Sequence, residues 1–285
     1  MLPLAEIPYP RIHPDIFSIG PITVRWYGVS YVLAFALGYL VLRALAKRGR
    51  WPVEPERVAD VLFWGILGVF VGGRLGWVLF YGIPSGSVQT FWQVFKVWEG
   101  GMSFHGGLLG VLVAYWIYTG VKKVPRGEFF DGLSLGATLG IFSVRMANFI
   151  NAELYGRPWD GPWAMRFPKY GSFGGPDAWE AELAKGDRSE LWTQLRHPSQ
   201  LYEAFGEGLL LFFVLRWLML KKGVGGGRIS AAFLVGYGTI RLLLEFVRQP
   251  DKDMGFVLFG ILTQGQLLSL GMIAAGLIVF ARIRK

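Results

Sequence analysis

Apolar residues fall into seven long runs, near positions 26–46, 58–81, 102–119, 129–150, 199–220, 229–248 and 256–281. Each is long enough to cross roughly 30 Å of hydrocarbon at about 1.5 Å per helical residue. The pattern predicts an all-α integral membrane protein, a seven-transmembrane helix bundle. Between the fourth and fifth runs the character changes. Residues 152–198 carry Asp160, Lys169, Asp177, Glu180, Glu182, Asp187 and Arg188 among Gly, Pro and Trp. This stretch is expected to be an extracytoplasmic insertion. The chain thus divides into 1–151 (lead and helices one to four), 152–198 (insertion) and 199–285 (helices five to seven), all within one membrane domain. No repeat of 20–50 residues and no inverted halves are visible.

Composition supports this reading: 53% of the 285 residues are hydrophobic and only 17% charged. The formal charge of +9 does not point to nucleic acid, because the basic residues gather at the ends of the apolar runs. Lys47, Arg48, Arg50, Arg57, Lys122, Lys123, Arg126, Lys221, Lys222, Arg228, Arg282, Arg284 and Lys285 border one side. The other side has only Arg11, Arg25, Lys96, Arg248 and Lys252. The richer side is cytoplasmic by the positive-inside rule, which puts the amino terminus outside and the carboxyl terminus inside. The proline-rich start, with Pro3, Pro8, Pro10, Pro14 and Pro21, lacks the basic and apolar regions of a cleavable signal and is expected to remain on the mature protein. Glycine, at 40 residues, is frequent inside the runs, as at Gly65, Gly68, Gly72, Gly73 and Gly76, where it predicts close helix packing in lipid.

The remaining chemistry lies with charges at membrane depth. Arg74, Arg145, Arg241, Glu203 and Glu245 sit inside apolar runs. Each costs roughly 2.5–3.5 kcal/mol at a helix centre, so together they imply a polar cavity. Tyr27, His105 and Glu203 begin inward-running helices, whereas Arg74, Arg145, Asn148, Arg241 and Glu245 fall late in outward-running ones. All eight are expected in the outer half of the bilayer, around one cavity. Arg241, Glu245 and Arg248 share a helix face at i, i+4, i+7. Arg74, Arg145, Arg241 and Arg248 outnumber Glu203 and Glu245, so an anionic ligand would complete the balance.

His105, at the outer mouth of the third helix, is either hydrogen-bonded structure or a functional group. His197 precedes a helix and can simply organise its entry, while His13 lies in a mobile-looking lead and carries no signal. Cysteine is absent, which excludes disulfides, a protein thiol nucleophile and thiolate metal sites. No HExxH, Walker loop or convincing metal cluster occurs, and neither metal nor cofactor is expected. Gly132-Leu133-Ser134-Leu135-Gly136 matches a nucleophile elbow without its strand-turn-helix context.

Several ordered blocks resemble the bacterial prolipoprotein diacylglyceryl transferases from end to end. They are Arg25-Trp26-Tyr27-Gly28, Gly72-Gly73-Arg74-Leu75-Gly76, Gly101 to Gly107, Asn148 to Asn151 with Glu153 and Tyr155-Gly156-Arg157, Arg196 to Glu203, and Gly236-Tyr237-Gly238 through Arg241, Glu245 and Arg248-Gln249-Pro250-Asp251. Ser143-Val144-Arg145-Met146-Ala147-Asn148 departs from the usual glycine-flanked block, and Ala152 stands where glycine is usual.

The resemblance implies an inner-membrane enzyme that transfers the diacylglyceryl group of phosphatidylglycerol to the lipobox cysteine of a prolipoprotein, releasing glycerol 1-phosphate. The nucleophilic sulfur then belongs to the substrate. In this reading His105 is the candidate base, and Arg145 and Arg241 clamp the departing phosphate. Tyr27, Arg74, Asn148, Glu153, Gly156, Glu203, Tyr237, Glu245 and Arg248 bind the substrate or brace the arginines. A transporter for anionic lipids or small anions using the same arginines is the main alternative, and an intramembrane protease a third. Acyl-chain preference and oligomeric state stay open.

Overall fold

The structure, a computed structural model, describes residues 7–20, 22–97, 100–249 and 262–283. Pro3, Pro21, Pro250, Asp251, Lys252, Arg284, Lys285 and the opening of the seventh apolar run, 256–261, lie outside the described residues. The chain forms two compact units, Met1–Gly38 with Leu133–Lys285, and Tyr39–Gly132.

The fold is mostly helical. Five helical stretches have the length and composition to cross a membrane: α1 (Trp26–Lys47), α2 (Val58–Trp77, within the stretch Pro55–Gly82), α3 (Phe104–Val121), α4 (Arg126–Ile150) and α9 (Gln264–Ile283). Helices also form at the other two apolar runs. One consists of α6 (Ser199–Glu203), a π-helical segment (Ala204–Leu210) and α7 (Leu211–Leu220); the other is α8 (Arg228–Leu244). The first carries Glu203, Glu207 and Arg216, and the second has only 17 residues, so neither passes on length and apolarity alone.

In the unit Tyr39–Gly132, α2 and α3 meet through glycine. A Cβ on Gly68 would lie 2.7 Å from the Gly110 carbonyl oxygen, and one on Gly76 would lie 2.7 Å from Gly106 Cα. Such backbone approach replaces the hydrophobic effect, which lipid does not supply, with dispersion contacts. Ser103 caps α3 by accepting from the Gly106 amide at 3.2 Å, which sets His105 in the first turn. Trp51 donates its indole N–H to the Phe129 carbonyl at 2.9 Å and stacks on the Phe129 ring.

In the other unit, a hairpin of β1 (Asp15–Ile19) and β2 (Ile22–Arg25) adds the one paired sheet among the described residues to the helical expectation. Residues 7–14 of the lead are docked, which corrects the expectation of mobility there. Tyr9 is buried, and its hydroxyl donates to the Phe149 and Ile150 carbonyls at 2.9 and 2.7 Å, satisfying the end of α4. His13 Nε2 lies 3.1 Å from Asp177 Oδ1 at the start of α5 (Pro176–Ala184), so this histidine ties the lead to the insertion.

Tyr9, Phe149, Ala152, Met165 and Phe167 form a small core beneath the insertion. Ala152 adopts φ 52°, the left-handed region, which explains on backbone grounds why glycine suits that position. Near residue 197 the two ends of the insertion are laced together. Gly156 donates its amide to the His197 carbonyl at 2.9 Å, and His197 stacks on Trp159 at 4.2 Å between ring centroids.

Two outcomes follow from this packing. Gly110→Val inserts side-chain atoms where the Gly68 backbone already sits, and is expected to destabilise the protein by about 1–3 kcal/mol or more, read as a lower melting temperature in detergent. Burial holds the His197 imidazole below its ordinary value of 6.5. The unfolded chain therefore binds the proton first, so stability is fully present above about 6.5 and falls as pH drops through that value. Melting followed by tryptophan fluorescence on either side of that pH should show the loss, and His197→Phe should shrink it.

Candidate active site

Arg145, Arg241 and Arg248 gather around Glu203, whose side chain is 0% exposed. Its Oε2 lies 2.8 Å from Arg145 Nε of α4. The other oxygen, Oε1, accepts from Arg241 Nη1 of α8 at 3.3 Å and from Arg248 Nη1, just beyond α8, at 3.0 Å. One carboxylate thus binds three guanidinium groups from two further segments of chain. A lone carboxylate buried here would cost several kcal/mol; with three cations around it the cost is offset by charge-assisted contacts.

The arginines are braced from their other sides. Arg241 Nη2 lies 3.1 Å from Glu245 Oε2, one helical turn further along. Glu245 is itself fixed: the Thr263 hydroxyl donates to its Oε1 at 2.8 Å, and a Cβ on Gly265 would come within 2.7 Å of Oε2. Tyr237 hydrogen-bonds Arg145. Arg248 is tied to the insertion through backbone, because the Arg157 amide donates to the Val247 carbonyl at 2.8 Å and Arg157 Nε donates to the Arg248 carbonyl at 2.9 Å.

Exposure separates the two kinds of charge. The Glu203 and Glu207 side chains are 0% exposed, while those of Arg145 and Arg241 keep 17% and 14%. The carboxylates form the floor and the guanidinium groups keep the reachable edge. Such an edge is suited to an oxyanion: guanidinium remains protonated, and its planar fork matches phosphate geometry.

Other expected residues fall close by or into supporting roles. Asn148 is buried and donates Nδ2 to Glu153 Oε1 at 2.8 Å, with Asn151 on the same oxygen at 3.4 Å. Gln200 donates to the Glu153 carbonyl at 2.7 Å, linking this pair to the turn before Glu203. Gly156 has no room for a side chain: a Cβ would stand 2.5 Å from the Val247 carbonyl oxygen. Its role is close backbone passage beside Arg248, with which it forms an isolated bridge. Tyr27 opens α1, is 37% exposed and accepts from the Tyr31 hydroxyl at 3.2 Å.

Arg74 and His105 belong to the unit Tyr39–Gly132. Arg74 is spent on its own loop. Its Nε donates to the Val94 carbonyl at 2.7 Å, Nη1 to Gly100 and Gly101 at 2.6 and 3.1 Å, and Nη2 to Gln93 at 2.6 Å. Its guanidinium also lies over Trp77 at 4.8 Å. These contacts describe a brace for Gln93, Val94, Gly100 and Gly101, not a free head-group ligand. His105 is exposed and lines an apolar groove of about 500 Å³ between α2 and α3.

The expected excess of positive charge is also corrected. Within the Glu203 cluster Arg145, Arg241 and Arg248 face Glu203, Glu245 and a third carboxylate, Glu207, whose Oε2 lies 3.8 Å from Arg145 Nη2. Glu207 escaped the sequence reading. Its signal was present, four residues after Glu203 inside the same apolar run.

The model of the prolipoprotein diacylglyceryl transferase family matches residues 14–282. Among curated relatives, a phosphatidylglycerol--prolipoprotein diacylglyceryl transferase of Mesorhizobium japonicum is 41% identical over 97% of this chain and 92% of its own. Proteins of the same name from Methylococcus capsulatus and Psychrobacter arcticus are 41% and 43% identical, over 96% and 95% of this chain and 96% and 93% of theirs. The ordered motifs, the three arginines gathered on one buried carboxylate and these full-length likenesses have a single explanation: the chain belongs to the prolipoprotein diacylglyceryl transferase family.

Proposed function

We infer that this chain is a membrane-embedded transferase that moves the diacylglyceryl group of phosphatidylglycerol onto the thiol of a lipobox cysteine, the first step of lipoprotein maturation. The observation that carries the reading is the Glu203 cluster, which keeps the guanidinium groups of Arg145 and Arg241 partly exposed above buried carboxylates, an arrangement that suits a lipid phosphate. The long apolar helices fit a substrate that arrives laterally from the bilayer. Its partners are phosphatidylglycerol and the lipobox segment of a prolipoprotein.

In the reaction the substrate sulfur attacks the glycerol carbon that bears the phosphate. A C–S bond forms, the C–O bond breaks, and its electron pair passes to the phosphate oxygen of the departing glycerol 1-phosphate. Charge grows on that oxygen as the bond breaks, so fixed guanidinium donors bind the transition state more strongly than the ground state. Arg145 and Arg241 are the clamp. Glu203, Glu245 and Tyr237 hold them in place, and Arg248 anchors the same carboxylate. The thiol, with an ordinary pKa near 8.5, gives up its proton to a base as the C–S bond forms, and His105 is the candidate for that base that the family motif supplies. Asn148, Glu153 and Tyr27 orient the head group, and Gly156 fixes the backbone that carries Arg248.

Around this site the protein has seven spans, with α6–α7 and α8 as the two that charge and length disguise. Residues 1–151 and 199–285 form the membrane domain and 152–198 an extracytoplasmic insertion. The protein lies in the bacterial cytoplasmic membrane with its amino terminus outside and its carboxyl terminus in the cytoplasm, as the distribution of Lys and Arg supports.

Purified protein in lipid, given labelled phosphatidylglycerol and a lipobox peptide, should yield a thioether-linked lipid on the peptide; lipid movement without that product would reject the reading in favour of transport. Arg145→Lys keeps the charge but loses the planar fork, and should lower kcat by about 100-fold or more, on the scale of losing an oxyanion donor. Near-parent turnover of that variant would reject the clamp. His105→Gln should lower the rate by roughly 100-fold or more. A rate close to the parent's would show that the arginine field alone activates sulfur.

A further inference from the structure

We propose that Glu207 is a positioning residue whose negative charge balances the arginine clamp, so that the clamp does not retain the phosphate monoester it produces. The proposal rests on the transferase reading above. It arises from a carboxylate that the mechanism does not use. Glu207 is 0% exposed, and neither of its oxygens accepts a hydrogen bond from the described residues. Its nearest cationic atom is Arg145 Nη2, at 3.8 Å, beyond hydrogen-bond reach, whereas the three arginines approach Glu203 to between 2.8 and 3.3 Å. A buried carboxyl group so weakly engaged is expensive, and a leucine of similar volume would be cheaper. What Glu207 contributes is its charge, not its hydrogen bonds.

The groups that face it show what this charge acts on. Arg145 comes from α4, Tyr237 and Arg241 from α8, Arg248 from just beyond α8, and Glu203 from the preceding turn of its own helix. With Glu245 on Arg241, the described residues of the cluster hold three guanidinium groups and three carboxylates. The π-helical segment that carries Glu207 begins directly after Glu203, and π turns frequently mark functional positions. Gly208, the next residue, leaves the space by which α4 draws close: a Cβ there would lie 2.7 Å from Phe142 Cβ.

The substrate phosphodiester carries one negative charge, whereas a phosphate monoester carries about 1.5 to 2 near neutral pH. A clamp with an uncompensated positive charge would therefore favour product over substrate and slow its release. With Glu207 the formal charges cancel, and the arginines recognise phosphate through directed donors rather than through excess field. Binding energy is then kept for the transition state.

The test compares Glu207→Gln, Glu207→Met and Glu207→Asp with the parent in lipid nanodiscs. Three quantities are read: affinity for glycerol 1-phosphate by calorimetry, the steady-state kcat and KM for phosphatidylglycerol, and the single-turnover rate of thioether formation. One added unit of net positive charge at close range should raise product affinity by about tenfold or more. Both neutral variants should show this gain, with a lower KM and a lower kcat, while single-turnover chemistry stays within about twofold of the parent. The two neutral variants differ in polarity, so whichever folds gives the reading. Glu207→Asp should retain the parent's affinity. Unchanged product affinity in the neutral variants, or the same gain in Glu207→Asp, would overturn the proposal. A parent protein that forms no thioether would instead overturn the transferase reading.

Discussion

Everything in the site depends on Glu203, one fully buried carboxylate that three arginines need and that needs all three. In lipid an unpaired guanidinium or carboxylate is a liability of several kcal/mol, so these groups must find one another or the helices cannot pack. Because Arg145 comes from α4 and Arg241 and Arg248 from α8 and its extension, the ion cluster also fixes which helices meet. The same contact that closes the fold aims the guanidinium edges. Fold and function are two readings of one electrostatic constraint.

That constraint extends outward. Arg248 sits where the membrane segment meets the insertion, and the backbone around it is shared with Gly156 and Arg157. The insertion in turn rests on the core of Tyr9, Phe149, Ala152, Met165 and Phe167 that closes the end of α4, the helix that carries Arg145. Two of the three arginines are thus supported from outside the apolar helices. Glu245, fixed by Thr263 at the start of α9, supports the third. Little freedom is left to these arginines, which suits the clamp proposed for them.

Much of this was legible in the residues. The seven apolar runs each became helix, because hydrocarbon admits few other ways to satisfy a backbone. Arg241, Glu245 and Arg248 could be assigned to one face from spacing alone. What could not be read was partnership. Arg74 has the same apolar surroundings as Arg145, yet its donors close on the carbonyls of Gln93, Val94, Gly100 and Gly101, and backbone carbonyls leave no mark in a sequence. Glu207 stood in plain view four residues after Glu203, but charge counting ignored it, and the excess of positive charge disappeared once it was included and Arg74 was assigned to its own loop. The hairpin at Asp15–Arg25 was hidden by prolines that read as loop, and the docking of the lead depends on the Tyr9 hydroxyl finding two carbonyls some 140 residues away. The resemblance in the motifs, more than any periodicity, singled out His105.

The most direct measurement is an experimental structure of the protein in lipid with a non-reactive phosphatidylglycerol analogue. This account predicts phosphate density bridging Arg145 and Arg241, within about 3 Å of a nitrogen of each, over an intact Glu203. A phosphate bound elsewhere, or arginines parted from Glu203 and facing unrelated surfaces, would contradict it.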